Sequence, residues 1–196
     1  MVAFRPGIVW TQISHRRRNL QRPLYLPWRH TLMKRFGIRV DKQYFNFGSA
    51  HFLLFPDGTR EELHGHNYQC TVDVIGALGD GDVVLDFIPF KPIVKQCCDE
   101  LDHLTLLPRD SKWLTITEHE KEIEVWHGED RFIFPKRDVR ILPIPNTSSE
   151  RLAEFIAGEI LKRTRKMLPT TQIHSIRVSV QESPGQAGIF EETLTD

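Results

Sequence analysis

Between residues 37 and 55 apolar and polar positions alternate, and Phe45, Phe47, Ser49, His51, Leu53 and Phe55 fall on one parity. A period of two is the signature of a half-buried strand, and the aromatic and β-branched content agrees with it. Residues 64–77 repeat the pattern, and Pro56-Asp57-Gly58 between the two runs is a turn signal. Together they predict an antiparallel hairpin. A Gly- and Asp-rich loop over 76–82 follows, then a short apolar stretch, Val83 to Phe87, with Asp86 as a turn or cap residue before Pro89. The period then changes. Phe90, Ile93, Val94, Cys97, Cys98 and Leu101 recur at three and four, which predicts a helix over 89–101 with Pro92 in its first turn.

Lys121 to Trp126 alternates again, turns at His127-Gly128-Glu129-Asp130, and returns through Arg131 to Phe134, a second hairpin that leaves His119 and His127 at the surface. Thr147-Ser148-Ser149-Glu150 has the form of a capping box, with Thr147 as cap and Glu150 three residues on. It opens a second helix with Leu152, Phe155, Ile156, Ile160 and Leu161 on one face and a basic end over 162–166, as the helix dipole favours. His174 to Glu182 is the last clear strand, with Ile176, Val178, Val180 and Glu182 on one face. Strands with two amphipathic helices make an α+β pattern.

Composition narrows the class without choosing a function. The chain has 196 residues, 40% hydrophobic and 27% charged, with zero net charge. That is an ordinary globular chain, and nothing in it points to nucleic acid. No apolar run approaches the length of a membrane span. The odd number of cysteines (Cys70, Cys97 and Cys98) has no metal-pair spacing and suits the reducing cytoplasm. Residues 1–35 differ: they hold eight Arg or Lys and no Asp or Glu. They lack an apolar signal core, and read as a basic disordered tail, a functional arm, or a start called too early, with Met33 as the first residue. Residues 36–196 then form one domain, interrupted by an insertion over 107–143.

The candidate chemistry lies in the hairpin. Residues two apart on a strand point to one face about 7 Å apart at Cα, so His64 and His66 can converge on one ion at about 2.0–2.1 Å per nitrogen. The turn folds His51 towards them. Three neutral imidazoles with an open fourth position suit catalytic zinc more than structural zinc, and suit other first-row ions too. A bare His-x-His pair also occurs in strands without any ion; the third histidine is what favours the ion. Asp102 beside His103 can hold an imidazole in one tautomer and raise its basicity, or can simply end a helix in solvent. Glu182 at the end of an apolar strand face is costly unless paired, and is otherwise an exposed strand end.

The stretches FGSAHFL (47–53) and LHGHNYQCTVDV (63–74) resemble the 6-pyruvoyltetrahydropterin synthase and 6-carboxytetrahydropterin synthase family. Asp86-Phe87 before a helix, Leu101-Asp102-His103, and Val180-Gln181-Glu182-Ser183 resemble its later motifs in the same order, so the likeness runs from Arg39 to Phe190 apart from the insertion. It implies a tunnelling fold (T-fold): an antiparallel sheet with two helices on one face, assembled as a homotrimer or homohexamer with sites between subunits. It implies Zn2+ on His51, His64 and His66, and a proton relay of Asp102 and His103. A small-molecule pterin would be held by Glu182, which accepts two adjacent N–H donors of the pterin edge, and by Ser148, Ser149 and Glu150.

One departure matters. Many members carry a catalytic cysteine just before the His-Gly-His motif, where this chain reads Thr59-Arg60-Glu61-Glu62-Leu63. Glu61 matches a subgroup that resembles a dihydroneopterin triphosphate aldolase, which makes 6-hydroxymethyldihydropterin for folate. Glu61 is then a general base, or else an ordinary loop charge beside Glu62. Cys70 lies about 13 Å further along the strand than His66 and reads as a core residue. The 6-carboxy and 6-pyruvoyl activities are alternatives, and a non-catalytic zinc- or pterin-binding module is another.

Overall fold

The structure is a computed structural model that describes residues 35–167 and 173–194. The basic stretch 1–35, apart from Arg35, lies outside the described residues. β1 (Phe36–His51) and β2 (His64–Gly76) form the expected antiparallel hairpin. Its register sets Val40 against Val72, Phe47 against Tyr68, Ser49 against His66 and His51 against His64. Between Asp41 and Asn46 the ladder slips, so that residues 42–45 stand opposite Cys70 alone. Such a bulge reverses strand parity. Ile38 and Val40 therefore face the same core as Phe45, Phe47, Ser49 and His51.

The main sheet has six strands in the order β7-β3-β1-β2-β8-β9, with β3 at Leu104–Pro108, β7 at Val139–Leu142, β8 at Ile173–Ser183 and β9 at Gln186–Thr193. It is mainly antiparallel, with β1–β3 and β3–β7 parallel. Helices α1 (Phe87–Asp99) and α2 (Ser149–Met167) cover one face, and Phe45, Phe47, Tyr68, Phe90, Leu152 and Ile156 are buried between. Each large apolar side chain so removed from water contributes about 1.5–3 kcal/mol. The other face is polar; Arg39 Nε donates to Asp73 Oδ1 there at 2.6 Å. β9 passes so close to the start of α2 that a Cβ on Gly188 would lie 2.3 Å from the Glu150 amide nitrogen. Gly188→Ala is expected to lower stability by about 1–3 kcal/mol through overpacking. Denaturant unfolding checks this, and an unchanged midpoint would mean that α2 lifts off the sheet without cost.

Several boundaries differ from expectation. Helix α1 starts two residues earlier, because Asp86 caps it by accepting the Ile88 N–H at 2.8 Å; Pro92 thus falls in the second turn. Helix α2 is capped by Ser148, whose Oγ faces the Arg151 N–H at 3.4 Å, and not by Thr147. β9 answers to no element in the pattern, since an edge strand with polar residues on both faces has no clean period.

The stretch 107–143, read from sequence as an insertion, is partly framework of the main sheet, because Leu107 and Pro108 belong to β3 and 139–142 form β7. Between them β4 (Thr115–Glu118), β5 (Glu122–His127) and β6 (Asp130–Pro135) make a separate three-stranded sheet. It closes a second core of Phe52, Leu54, Leu107, Ile123 and Val125, against which Phe132 and Phe134 pack. That core ends the parity of β1 at His51: Phe52 and Leu54 are buried, while Phe55 is 40% exposed. His127, expected at the surface, is half-buried with its Nε2 2.8 Å from the Gly58 carbonyl.

Candidate functional site

The hairpin register brings His51, His64 and His66 together on the core side of the sheet, with ring centroids 4.8 to 5.4 Å apart. One ligand atom from each, with one from Glu182, lies within 4.8 Å of all the others. Two of the rings are held from behind. His51 Nδ1 lies 3.1 Å from the Thr147 carbonyl, and His64 Nδ1 lies 2.7 Å from the Glu62 carbonyl. A carbonyl only accepts, so both Nδ1 atoms carry the hydrogen and both Nε2 atoms present a lone pair, as in metal-ligating histidines; at His51 that lone pair accepts from the Tyr68 hydroxyl. Burial pushes the pKa of His51 down, and the His64 imidazole adds to this against the pull of Glu182. A neutral ring is the form that binds a metal.

His66 Nε2 is shielded from solvent and makes no well-directed hydrogen bond, although Glu182 Oε1 is 2.6 Å away. An orphaned buried nitrogen beside two imidazoles whose Nε2 atoms point at the same spot is what a bound cation would satisfy, so the residues fit a zinc-type ion. Tyr68, fully buried, sets its hydroxyl 2.9 Å from His51 Nε2. Thr147 Oγ1 donates to the Phe52 carbonyl at 2.9 Å. Read from sequence as a cap, Thr147 instead ties the end of β1 to the start of α2. The Tyr68 contact was also not anticipated; its signal was the inward parity that it shares with His64 and His66.

Glu61 reaches the rim of this cluster, with Oε2 4.0 Å from His64 Nε2 and accepting the Leu53 N–H at 3.2 Å. Its side chain is one-third exposed, open to a ligand yet anchored. Glu182 Oε2 accepts from Ser149 Oγ at 3.0 Å, so Ser149 joins the site. Ser148 serves as helix cap, and Glu150 is exposed, with no hydrogen bond to the cluster among the described residues. Cys70 is buried in the core, where a hydrogen bond with Cys98 and desolvation raise its thiol pKa, so it is no nucleophile.

Asp102 and His103 form the expected pair, Oδ2 to Nδ1 at 2.9 Å. Burial pushes the Asp102 pKa up, but the Gly48 N–H at 2.7 Å and His103 outweigh it and hold the carboxyl below its ordinary value. His103 is 89% exposed at a left-handed φ of +60°. The pair does not meet the histidine cluster of its own chain. A Cβ on Gly48 would touch Asn67 and Asp102, and both Gly48 and Asn67 alternate with the inward residues Ser49 and His66. Asp102 thus sits on the opposite sheet face, beside a groove of about 570 Å³ bordered by Gly48, Ala50, Gly65, Asn67 and His103.

A mainly antiparallel sheet backed by two helices, with three imidazoles gathered at one end, defines a T-fold protein with a metal-type centre. The chain belongs to the 6-pyruvoyl tetrahydropterin synthase family, whose model matches residues 39–193. A Methanocaldococcus jannaschii protein provisionally named 6-carboxy-5,6,7,8-tetrahydropterin synthase is 37% identical over 149 residues, 76% of this chain and 90% of that protein. The Haemophilus influenzae 6-carboxy-5,6,7,8-tetrahydropterin synthase is 30% identical over 128 residues, 62% of this chain and 81% of that one. The crystal structure of 6-pyruvoyl tetrahydropterin synthase from Plasmodium vivax superposes with a TM-score of 0.76 at 31% identity, covering 82% of this chain and 99% of that one. The same P. vivax enzyme has also been solved with a catalytic glutamate replaced by alanine and by cysteine. Among the described residues no helix is long and apolar enough to cross a membrane.

Proposed function

We propose that the protein is a zinc-dependent lyase acting on 7,8-dihydroneopterin triphosphate, cleaving its side chain to 6-hydroxymethyl-7,8-dihydropterin for folate synthesis. The observation that carries this reading is Glu61 at the rim of the imidazole cluster, 4.0 Å from His64, where a cysteine is otherwise usual. The catalytic glutamate named for the P. vivax 6-pyruvoyltetrahydropterin synthase supports a glutamate as the proton carrier, without bearing on the product. His51, His64 and His66 would hold the zinc, whose Lewis acidity makes the side-chain hydroxyls of the substrate easier to ionise.

Glu61 takes the proton of the 2′-hydroxyl. The bond between C1′ and C2′ breaks, C2′ leaves as an aldehyde carrying the triphosphate arm, and the bonding pair passes to C1′ in conjugation with the dihydropterin ring. A proton returned to C1′ completes the hydroxymethyl group. Asp102 and His103 face away from their own cluster, so the pair that serves a given site comes from a neighbouring copy in a homotrimer or homohexamer. The setting is the cytoplasm, which suits three free buried cysteines.

Glu182, steadied by Ser149, accepts the paired N–H donors of the pterin. Glu182→Gln is expected to raise KM about 10- to 100-fold, the value of charge-assisted hydrogen bonds, with zinc content unchanged. Loss of zinc instead would make Glu182 a fourth metal ligand.

The names of the M. jannaschii and H. influenzae relatives favour a second reading, a 6-carboxytetrahydropterin synthase that supplies queuosine-type synthesis. Mass analysis of the pterin formed from 7,8-dihydroneopterin triphosphate separates the two. A 6-hydroxymethyl product supports the aldolase reading. A 6-carboxy or 6-pyruvoyl product removes it, and tight pterin binding without turnover makes the protein a binding module.

A further inference from the structure

The inserted three-stranded sheet has no part in the chemistry described so far, yet it grips the loop that carries Glu61. We infer that the insertion is a brace for Glu61 and that Arg60 is the positioning residue through which it acts. This rests on the reading of Glu61 as proton carrier.

Arg60 is only 15% exposed, and its guanidinium is engaged on three sides. Nε and Nη2 both donate to Asp130 Oδ2, at 3.1 and 2.7 Å, and Asp130 opens strand β6 of the insertion. The guanidinium carbon lies 4.9 Å from the centre of the Phe132 ring, also in β6, and 5.7 Å from that of Phe52. Phe52 and Phe132 themselves stack, 5.6 Å apart at 20°. The remaining arm, Nη1, donates to the backbone carbonyl of Glu61 at 2.8 Å. A planar fork held by a carboxylate and two ring faces has little freedom left, so the Glu61 carbonyl is fixed from the insertion side.

From the other side the end of β1 fixes the same residue. The Glu61 N–H donates to the Leu53 carbonyl at 2.9 Å, and its carboxylate accepts the Leu53 N–H at 3.2 Å. Two further insertion contacts seize the loop just upstream. His127 Nε2 donates to the Gly58 carbonyl at 2.8 Å, and the Trp113 ring lies where a Cβ of Gly58, at φ +89°, would stand 3.0 Å away. Without these contacts, residues 58–61 would be held by their hydrogen bonds to Leu53, Phe55 and Asp57 and by the Arg60 guanidinium over Phe52. A carboxylate that must meet a hydroxyl proton at the rim of a metal site needs its backbone held, because misplacement by about 1 Å costs about a hundredfold in rate.

The test compares Asp130→Asn, Arg60→Lys and Glu61→Gln in the full-length, zinc-loaded protein with 7,8-dihydroneopterin triphosphate. Asp130 is half exposed at a hairpin turn, so its variant folds. Arg60→Lys keeps the charge and loses the fork. The expected result is a fall in kcat of about 10- to 100-fold for both, with KM and zinc content as in wild type and the acid limb of the pH–rate profile displaced. Independently of activity, hydrogen exchange at the Leu53 and Glu61 amides should quicken while the amides of β2 and β8 stay protected. If both variants keep wild-type kcat, pH profile and exchange while Glu61→Gln is inactive, the brace is overturned and the proton carrier stands. If Glu61→Gln turns over normally, the carrier reading fails and the brace has nothing to position.

Discussion

Glu61→Gln is expected to lower kcat by about 10²- to 10⁴-fold, the range that a positioned proton carrier supplies, while zinc content and fold stay as in wild type. The amide keeps the shape of the carboxylate and one acceptor oxygen for the Leu53 N–H, so the loop stays closed, but it cannot take a proton at neutral pH. KM should change little, because Glu182 and Ser149 make the binding contacts in this reading. Titrating kcat and bound zinc side by side decides the matter. Retention of more than a tenth of the wild-type rate would leave Glu61 as a loop charge and send the proton elsewhere.

Removal of zinc by a chelator such as dipicolinate should abolish turnover and lower the melting temperature by roughly 10 °C, both reversed by added zinc. A ligand at 100 to 1,000 times its Kd stabilises the state it binds by about 2.7–4.1 kcal/mol, and a domain of this size shifts by about 2–4 °C per kcal/mol. The local structure supports an effect of that order. His66 Nε2 is buried without a well-directed hydrogen bond, and His51 is driven to its neutral form by burial and by the neighbouring His64 ring. His51→Ala should mimic the chelator and resist rescue. Full activity in metal-free protein would rule out the metal-centre reading, whatever the geometry of the three rings.

How much of this could be read from residues alone follows from how local each interaction is. The His64 and His66 pair was legible because a strand has a fixed period, and His51 because the turn at Asp57-Gly58 sets the partner strand. Glu61 came from the resemblance, by its place three residues before His64, and what packing adds is its position at the rim of the cluster. Thr147 was misread because a hydroxyl before an acidic helix start looks the same whether it caps the helix or props an imidazole from a distant strand; only the packing of α2 on β1 decides. Leu53 was assigned to the face of His51, because no periodic rule announces that a second core captures Phe52 and Leu54. Asp102 and His103 were named as a relay by motif, which says nothing of where they stand. Their sheet face depends on β3 lying parallel beside β1, a long-range pairing with no local mark. Arg60 carried no signal at all, since its partners Asp130 and Phe132 lie in a segment whose role pattern could not assign.

The order of the chain has a consequence for how the site matures. His51, His64 and His66 lie on one hairpin, whereas Thr147, Ser149 and Glu182 follow across more than half of the chain. A polypeptide leaving the ribosome exposes the whole imidazole set well before α2 and β8 exist. Gathering those three rings requires closing only a short loop, which costs about 2 kcal/mol less in chain entropy than recruiting Glu182. On the metal-centre reading, capture can therefore come early in biosynthesis, on a hairpin still open to water, and the arrival of α2 would then close the site from behind.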